Sequence, residues 1–272
     1  MAASQFSVIK TYFEQEILRL QTGDPFIATT RENQLINEAY EKTAYSHDWP
    51  QLLVRDADIV VANLDRYTLP SNFRKMDFMF VQGALHEETD LIHLPFTPHR
   101  YAIALDTSEY IINTAPTTAS TAYTLDNAET AGNAVVIDLD TVDGLAAGED
   151  IWVDGTTTNE FTRVQSVDTA NVTITARLAN NQSSGDILYR VKDVVYFGYY
   201  KTVTALSADA DASTLPDSCD LVIPHYAAYL YYRDQRNKEA ADYHFEIWEK
   251  ELQIAWLAFD KTSSGYSNQF SV

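Results

Sequence analysis

The spacing of apolar residues changes twice along this chain, and those changes limit the folds that it can adopt. Near the N-terminus, apolar residues recur every three or four positions, which places them on one face of a helix. The first such series consists of Phe6, Ile9, Phe13, Ile17 and Leu20. A second series covers residues 35–44. Thr29 and Glu32, before it, have the spacing of a capping box, and Trp49-Pro50 marks the end of the predicted helix.

Short apolar runs replace the helical spacing after residue 52. The runs LLVRDADIVV, FMFVQGAL, LIHLPF and RYAIALD are separated by turn residues and predict strands. The small polar stretch TAPTTASTA predicts a linker at residues 114–122. Beyond it, strands alternate with Asp-Gly and Ala-Gly turns as far as residue 192, which is typical of a small β-barrel or sandwich. The run VVYFGYYKTV then predicts one more strand.

Helical spacing returns near the C-terminus. Pro224 suits the first turn of a helix, and apolar positions at intervals of three and four continue to Ala255. The stretch RDQRNKE is wholly polar, and Asn237 is a good N-cap with Glu239 in the first turn behind it. We therefore predict two helices, at about 222–235 and 238–258, folded into a hairpin.

These patterns predict an α+β fold with a helical core of about four helices, a β layer and an inserted small β-barrel or sandwich. The N-terminal part of the core, with the β layer, is expected at residues 1–114 and the inserted β domain at residues 115–192. The C-terminal part, residues 193–272, is expected to contain a strand, the helix pair and an extended tail. The expected core side chains are Trp49, Leu230, Phe245, Trp248 and Leu252.

The chain is strongly acidic, with 39 Asp and Glu residues against 19 Lys and Arg residues and a formal net charge of −20. Tight phosphate binding needs clustered Lys and Arg, so this composition argues against a protein that grips or reads nucleic acid. The N-terminus has no signal-peptide pattern, and no apolar run approaches the length of a membrane span. We expect a soluble chain made in a cytoplasm, whose acidity serves solubility or keeps DNA from adhering to it.

Motifs that carry chemistry are weak in this sequence. It contains no phosphate-binding loop, nucleophile elbow, HExxH or CxxC motif. The only cysteine, Cys219, stands beside Asp220 and without a positive neighbour, so a buried, unreactive thiol is expected. In HEETDLIHLPFTPH, the histidines His86, His93 and His99 fit no standard metal-site spacing. We predict a solvated loop there, and no metal, cofactor or catalysis.

The 17 tyrosines have two readings that composition leaves open. One is an aromatic core within the chain. The other is interface surface, where tyrosine, tryptophan and arginine are enriched.

Three segments resemble, in their order, the head-to-tail adaptor proteins (connector or head completion proteins) of tailed bacteriophages. They are LINEAYEKTAYSHDWPQL, YTLPSNFRKMDFMFV and the stretch from VYFGYYKTV to EIWEKEL, and they cover about residues 30–80 and 195–255. Residues 118–192 fall outside the resemblance. The positions that carry it are Trp49-Pro50, Tyr67, Leu69, Pro70, Tyr199-Tyr200, Leu215-Pro216 and Ala227-Ala228-Tyr229.

The resemblance implies a homo-oligomeric ring, typically of twelve subunits, in the neck of the virion. Such a ring docks under the portal protein, joins tail or nozzle proteins below and forms part of the channel for DNA ejection, and it is assembled in the host cytoplasm. DNA would pass without specific binding, and no membrane is involved. Tyr229, Tyr232 and Tyr243 would then serve subunit and portal contacts, and the tail with Tyr266 and Phe270 would reach the portal.

Two other functions stay open at this point. The inserted β domain could bind carbohydrate or a cell surface, which would make the chain a tail or receptor-binding protein. Trp152 and Phe161 are its only large aromatic candidates for that role. A hydrolase is the third possibility.

Overall fold

The fold, given by a computed structural model, is mixed α+β. The structure describes residues 6–18, 29–94, 99–113 and 115–263, with side chains as far as residue 258. Helices occupy both ends of the described chain, and the strands between them form two sheets. The chain divides into two compact units, one made of Met1–Leu53 with Tyr200–Val272 and the other of Val54–Tyr199.

The first unit is helical. Helix α1 spans Phe6–Thr11 and continues as a π-helix over Tyr12–Ile17. Helices α2, α3 and α4 span Thr29–Ser46, Ile223–Asp234 and Lys238–Ser263, with short 3₁₀ turns at Pro50–Leu52 and Asp217–Cys219. The break between α3 and α4 falls where the polar stretch and Asn237 predict it. Helix α4 ends five residues later than the predicted 258.

Helix α2 begins at Thr29, the first residue of the predicted capping box. Glu32 is only 4% exposed, and its carboxyl group is hydrogen-bonded to that of Glu14. Glu32 lies on the face of α2 that is buried in the unit.

Two tryptophans and one threonine organise the core of the helical unit. Trp49 is fully buried and donates its Nε1–H to the carbonyl oxygen of Thr43, at 3.2 Å. Trp248 donates its Nε1–H to Thr43 Oγ1, also at 3.2 Å. Among the predicted core residues, Leu230 and Leu252 are buried as well, whereas Phe245 is half-buried. This threonine of α2 therefore ties the tryptophan after α2 to the tryptophan of α4.

The second unit contains a seven-stranded sheet. Its strands are β1 (Leu53–Asp58), β2 (Arg66–Thr68), β3 (Phe73–Val81), β4 (Ala84–Glu88), β5 (Arg100–Ala104), β6 (Glu109–Ile112) and β13 (Val195–Lys201). They lie in the order β1-β13-β3-β4-β5-β6-β2. Strands β4 and β5 are parallel, while β3–β4, β5–β6 and β2–β6 are antiparallel.

Two apolar runs in this sheet are not single strands. Within FMFVQGAL, Gln82 and Gly83 have positive φ angles of 48° and 79° and make the turn of the β3–β4 hairpin. The run LIHLPF begins as a turn rather than a strand, because Asp90 Oδ1 accepts a hydrogen bond from the backbone N–H of His93 at 2.9 Å. Side-chain capping of a turn overrides the apolar pattern here.

The remaining strands form a six-stranded sheet. They are β7 (Ala122–Thr124), β8 (Gly132–Asp138), β9 (Asp150–Asp154), β10 (Glu160–Asp168), β11 (Thr173–Leu178) and β12 (Ile187–Arg190). Their order is β7-β12-β9-β10-β11-β8. It is one curled antiparallel sheet, and backbone bonds at its edges, such as Asp140 N–H to Thr124 O at 3.0 Å, join the ends of β7 and β8. This sheet has a buried core of its own.

An apolar cluster joins the two sheets within the second unit. Trp152 and Tyr189 of the six-stranded sheet are buried with Ala57 and Val194, and residues such as Phe161 pack against them. The predicted division places the β layer with the helices. The structure groups the two sheets in one compact unit and the helices in the other.

The two ends of the inserted sheet lie side by side. Ser120 Oγ donates to the carbonyl oxygen of Asp193 at 2.7 Å, so a short linker can replace the residues between them. Replacing 121–192 by a Gly-Ser linker uncovers part of Ala57 and Val194, so we expect the second unit to lose about 2–3 kcal/mol but still to unfold cooperatively. Thermal unfolding followed by circular dichroism measures this, and an insoluble or unfolded product would show that the insert is integral.

Candidate interaction surface

Helix α4 carries apolar residues on two opposite faces. One face packs into the helical unit, and at 100° per residue the other lies on the far side of the helix. On that far side Tyr243 is 61% exposed, Ile254 50% and Leu257 47%. Ile247 stands in the same row and is half-buried. We call Tyr243, Ile247, Ile254 and Leu257 the outer row of α4.

The outer row is unusual because a helix on a monomer surface normally has a single apolar stripe. The exposed residues around it are charged, with Asp242, Glu246 and Glu251 beside it and Lys250 within it. A row of large apolar side chains with a charged border is the composition of a contact surface for another protein chain. The sequence spacing alone could have indicated this row. Positions 243, 247, 254 and 257 are separated by four, seven and three residues, which places them on one face of a helix.

The three tyrosines that the sequence assigns to an interface have different surroundings. The ring of Tyr229 is half-buried and lies 5.1 Å from that of Phe245. Tyr232 stacks on His244, with 5.5 Å between the ring centres and 4° between the planes. Tyr243 alone of the three is exposed. Tyr229 and Tyr232 therefore support the α3–α4 pair, and the assignment of Tyr243 to an interface stays a prediction.

The predicted tail contacts, Tyr266 and Phe270, lie outside the described residues. Their assignment to a portal contact stays a prediction. The structure adds that α4 runs to Ser263, close to the start of that tail.

A pair of histidines joins α3 to α4. The Nδ1 atoms of His225 and His244 lie 3.2 Å apart, so one ring donates an N–H while the other accepts it. Burial lowers the pKa of both, and the charge of its partner adds to this effect at His244, whose pKa falls to about 4. Sequence reasoning missed this pair because 19 residues separate the two, and only the pairing of the helices brings them together.

Glu32 of α2 and Glu14 of the π-helix form a second pair of titratable side chains in the helical unit. Burial and the nearby charge of Glu14 raise the pKa of Glu32 to about 7, although Lys10 acts in the opposite direction. Glu32 therefore holds a proton in the folded chain at pH values where an exposed glutamate is ionised. The helical unit therefore contains two groups whose pKa values are shifted in opposite directions: the pKa of His244 is lowered and that of Glu32 is raised.

The histidines of the candidate metal motif do not come together. The rings of His86 and His99 are in contact, with 5.3 Å between their centres, but His93 pairs with Asp90 at 2.6 Å on the surface. Within the described ranges, no three His, Cys, Asp or Glu side chains are arranged to hold a metal ion. Cys219 is buried, and burial together with Asp220 raises its thiol pKa to about 12, which leaves it unreactive.

Basic side chains of the seven-stranded sheet are engaged by carboxylates. Arg100 pairs with Glu87 at 2.5 Å, and Arg66 pairs with Glu109 at 3.4 Å. Their charges are offset locally, which leaves the acidity of the chain dominant around them.

In the part of the chain that the structure describes, no helix is long and apolar enough to cross a bilayer. No protein-family model matches this sequence, and no curated protein is significantly similar to it.

Proposed function

We propose that this chain is a structural protein of a tailed-phage virion, a head-to-tail adaptor that forms a ring between the portal and the tail. The proposal starts from the ordered segments of the sequence. Each falls on a distinct element: the first on α2 and the Trp49-Pro50 corner, the second on β2 and β3, and the third on β13, α3 and α4. The buried Trp49 and the buried Tyr67 and Leu69 give those motifs a structural role.

The outer row of α4 is the observation that carries the proposal. A closed ring needs heterologous contacts, in which each subunit offers a surface to the next. We assign the outer row to the contact with a neighbouring copy of the chain. Burial of its three exposed side chains would contribute several kcal/mol to that contact, at about 1.5–3 kcal/mol for each fully buried side chain.

The charge of the chain fits a passive DNA channel. A ring of about twelve copies, the number that the resemblance implies, would carry roughly −240 formal charges, since each chain carries −20. A wall of this sign repels phosphate over about 8 Å at physiological salt. A duplex would therefore pass through the ring without adhering, and we propose neither catalysis nor specific DNA binding.

The receptor-binding alternative loses its best support. Trp152 is 3% exposed and stacks on Tyr189, with 5.6 Å between the ring centres. Phe161 is half-buried, with its ring centre 5.1 Å from that of Tyr196. These side chains pack between two sheets, so neither is a free platform for a sugar ring. No observation favours the hydrolase.

The proposal is tested by removing the outer row. We expect the purified chain, alone or with a portal protein, to form rings, and the triple variant Tyr243→Ser, Ile254→Ser, Leu257→Ser to stay a folded monomer. Light scattering after size exclusion and negative-stain microscopy measure assembly, and circular dichroism checks the helices.

A matched control replaces three exposed apolar residues in the turns that follow β4 and β5, Leu91→Ser, Ile92→Ser and Leu105→Ser, which are 48%, 77% and 71% exposed. This control should assemble as the wild type does. Rings from the outer-row variant would remove the assignment of that surface. A wild-type chain that stays monomeric even with a portal protein would contradict the function itself.

A further inference from the structure

The turn between α3 and α4 concentrates basic side chains in an otherwise acidic chain. Residues 233–239 are all exposed. Arg31 of α2 lies at the same end of the helical unit, because its guanidinium group forms an ion pair with Asp234. Arg31 and residues 233–239 together have four basic and two acidic side chains, which is a net charge of +2 in a chain of −20. We call the four basic side chains, Arg31, Arg233, Arg236 and Lys238, the basic tip.

Two members of the basic tip are not used by ion pairs within the chain. Asp234 takes the charge of Arg31 and, at the longer distance of 3.8 Å, that of Arg233. Among the described residues, Arg236 and Lys238 take part in no ion pair, although both are exposed. Their charges are therefore available to a partner of opposite charge.

The backbone at Arg236 has a conformation that suits glycine better than arginine. Its φ angle is 59°, in the left-handed region. The N–H of Asn237 donates to the carbonyl oxygen of Tyr232 at 2.9 Å, and that of Arg236 donates to the carbonyl oxygen of Arg233 at 3.0 Å, which is the Schellman end of a helix. Glycine is the usual residue here, because it has no Cβ atom to strain the backbone. An arginine at this position costs stability, so we expect its side chain to act outside the fold of the single chain.

Helix α4 carries matching negative charges on one flank. Asp242, Glu246 and Glu249 follow one another at intervals of four and three residues, so they form a line along α4 beside the outer row. All three are exposed, and in the part of the chain that the structure describes none of them forms an ion pair. We call these three residues the acidic flank. The basic tip and the acidic flank are two different surfaces of opposite charge, as a contact repeated around a ring requires.

We propose that the basic tip binds the acidic flank of α4 in a neighbouring copy of the chain, beside the contact that the outer row makes. This inference rests on the proposed ring, and it names the second surface that a heterologous contact needs. A second copy is favoured over DNA because phosphate would have to approach a chain of net charge −20 with only +2 at the tip to attract it. Opposite charges on the two surfaces would also fix the register in which neighbouring copies meet.

The test exchanges charges between the two surfaces. A tip variant carries Arg236→Glu and Lys238→Glu, and a flank variant carries Glu246→Lys and Glu249→Lys. Each variant alone should need a concentration about tenfold higher or more for half-assembly, because its contact brings like charges together. An equimolar mixture should form rings again, since a reversed tip can meet a reversed flank. Light scattering after size exclusion and negative-stain microscopy measure assembly, and circular dichroism checks that each variant is folded.

Two further variants keep the test decisive. Lys42→Glu with Arg177→Glu is the matched control, because it changes the net charge by the same amount at exposed positions of α2 and β11, and it should assemble as the wild type does. Arg236→Gly separates assembly from stability. It relieves the left-handed backbone, so its Tm should rise by about 2–4 °C, whereas its assembly should weaken. A purely structural role of Arg236 would not lower assembly in a more stable protein.

The outcomes distinguish this inference from the proposed function. Rings of the tip variant at the wild-type concentration would overturn the inference and leave the proposed ring intact, and so would a mixture of folded variants that does not assemble. Binding of duplex DNA by the wild type that the tip variant loses, measured by fluorescence polarisation, would assign the tip to phosphate instead. A wild-type chain that stays monomeric even with a portal protein would contradict the proposed function and this inference with it.

Discussion

Trp248→Ala should lower the free energy of unfolding of the helical unit by about 3–5 kcal/mol. Trp248 is 4% exposed and contacts the rings of Tyr226 and Phe245, with centroid distances of 4.8 and 5.5 Å. Truncation removes these contacts and leaves a cavity that rigid helices fill only in part. The loss also frees Thr43 Oγ1 from the indole N–H.

Chemical denaturation followed by far-UV circular dichroism measures this change, because the helices dominate that signal. Tyr243→Ala is the matched control on the same helix, since the side chain is 61% exposed, and it should change stability by no more than about 0.5 kcal/mol. Equal effects of the two substitutions would show that α4 does not bury its Trp248 face.

Thr43→Val separates the polar part of this core from its packing. The valine keeps the volume but leaves the buried Trp248 Nε1–H without its acceptor, which costs about 1–3 kcal/mol. Thr43→Ser keeps the hydroxyl and should recover that part of the loss. The pair of variants therefore reports the hydrogen bond between Thr43 and Trp248, while the bond from Trp49 to the backbone carbonyl of Thr43 is kept in both.

The second large effect is a dependence of the free energy of unfolding on pH. In the wild type, two contributions of opposite slope largely cancel each other. The pKa of His244 is lowered to about 4 in the folded chain, so the unfolded chain binds the proton more readily, and stability is lost as pH falls below about 6.5. The pKa of Glu32 is raised to about 7, so its contribution is present at low pH and is lost as pH rises through 7. Between about pH 4.5 and 6.5 the two contributions have opposite slopes and offset each other.

Single substitutions should therefore reveal each slope. Relative to the wild type, Glu32→Gln should gain stability with rising pH, and His244→Gln should lose stability with rising pH, by about 2 kcal/mol over two pH units in each case. The measurement is the free energy of unfolding at several pH values between 4 and 7, taken as a difference from the wild type. The groups that face His244 are His225, Tyr232 and Tyr243, so no carboxylate among these neighbours would compensate a charged imidazole. Parallel pH profiles for all three proteins would contradict this assignment.

Local features of the sequence were enough to place most elements. Pro224 and Asn237 act on the backbone within one turn of their own positions, which is why the boundaries of α3 and the start of α4 could be predicted. The change from apolar residues at every third or fourth position to short apolar runs is also a local feature, so the α+β class could be predicted from it. The burial of Trp248 and Leu252 also follows from their places on the helical face.

Only the tertiary structure decided which groups meet across long stretches of chain. His225 and His244 form a pair because α3 and α4 pack side by side, and the fold also brings Glu14 of the π-helix to Glu32 of α2. Trp152 and Val194, 42 positions apart in the sequence, are buried in one apolar cluster of the second unit. Contacts between residues far apart in the sequence depend on how the helices and strands pack together. The spacing of residues along a single element does not predict them.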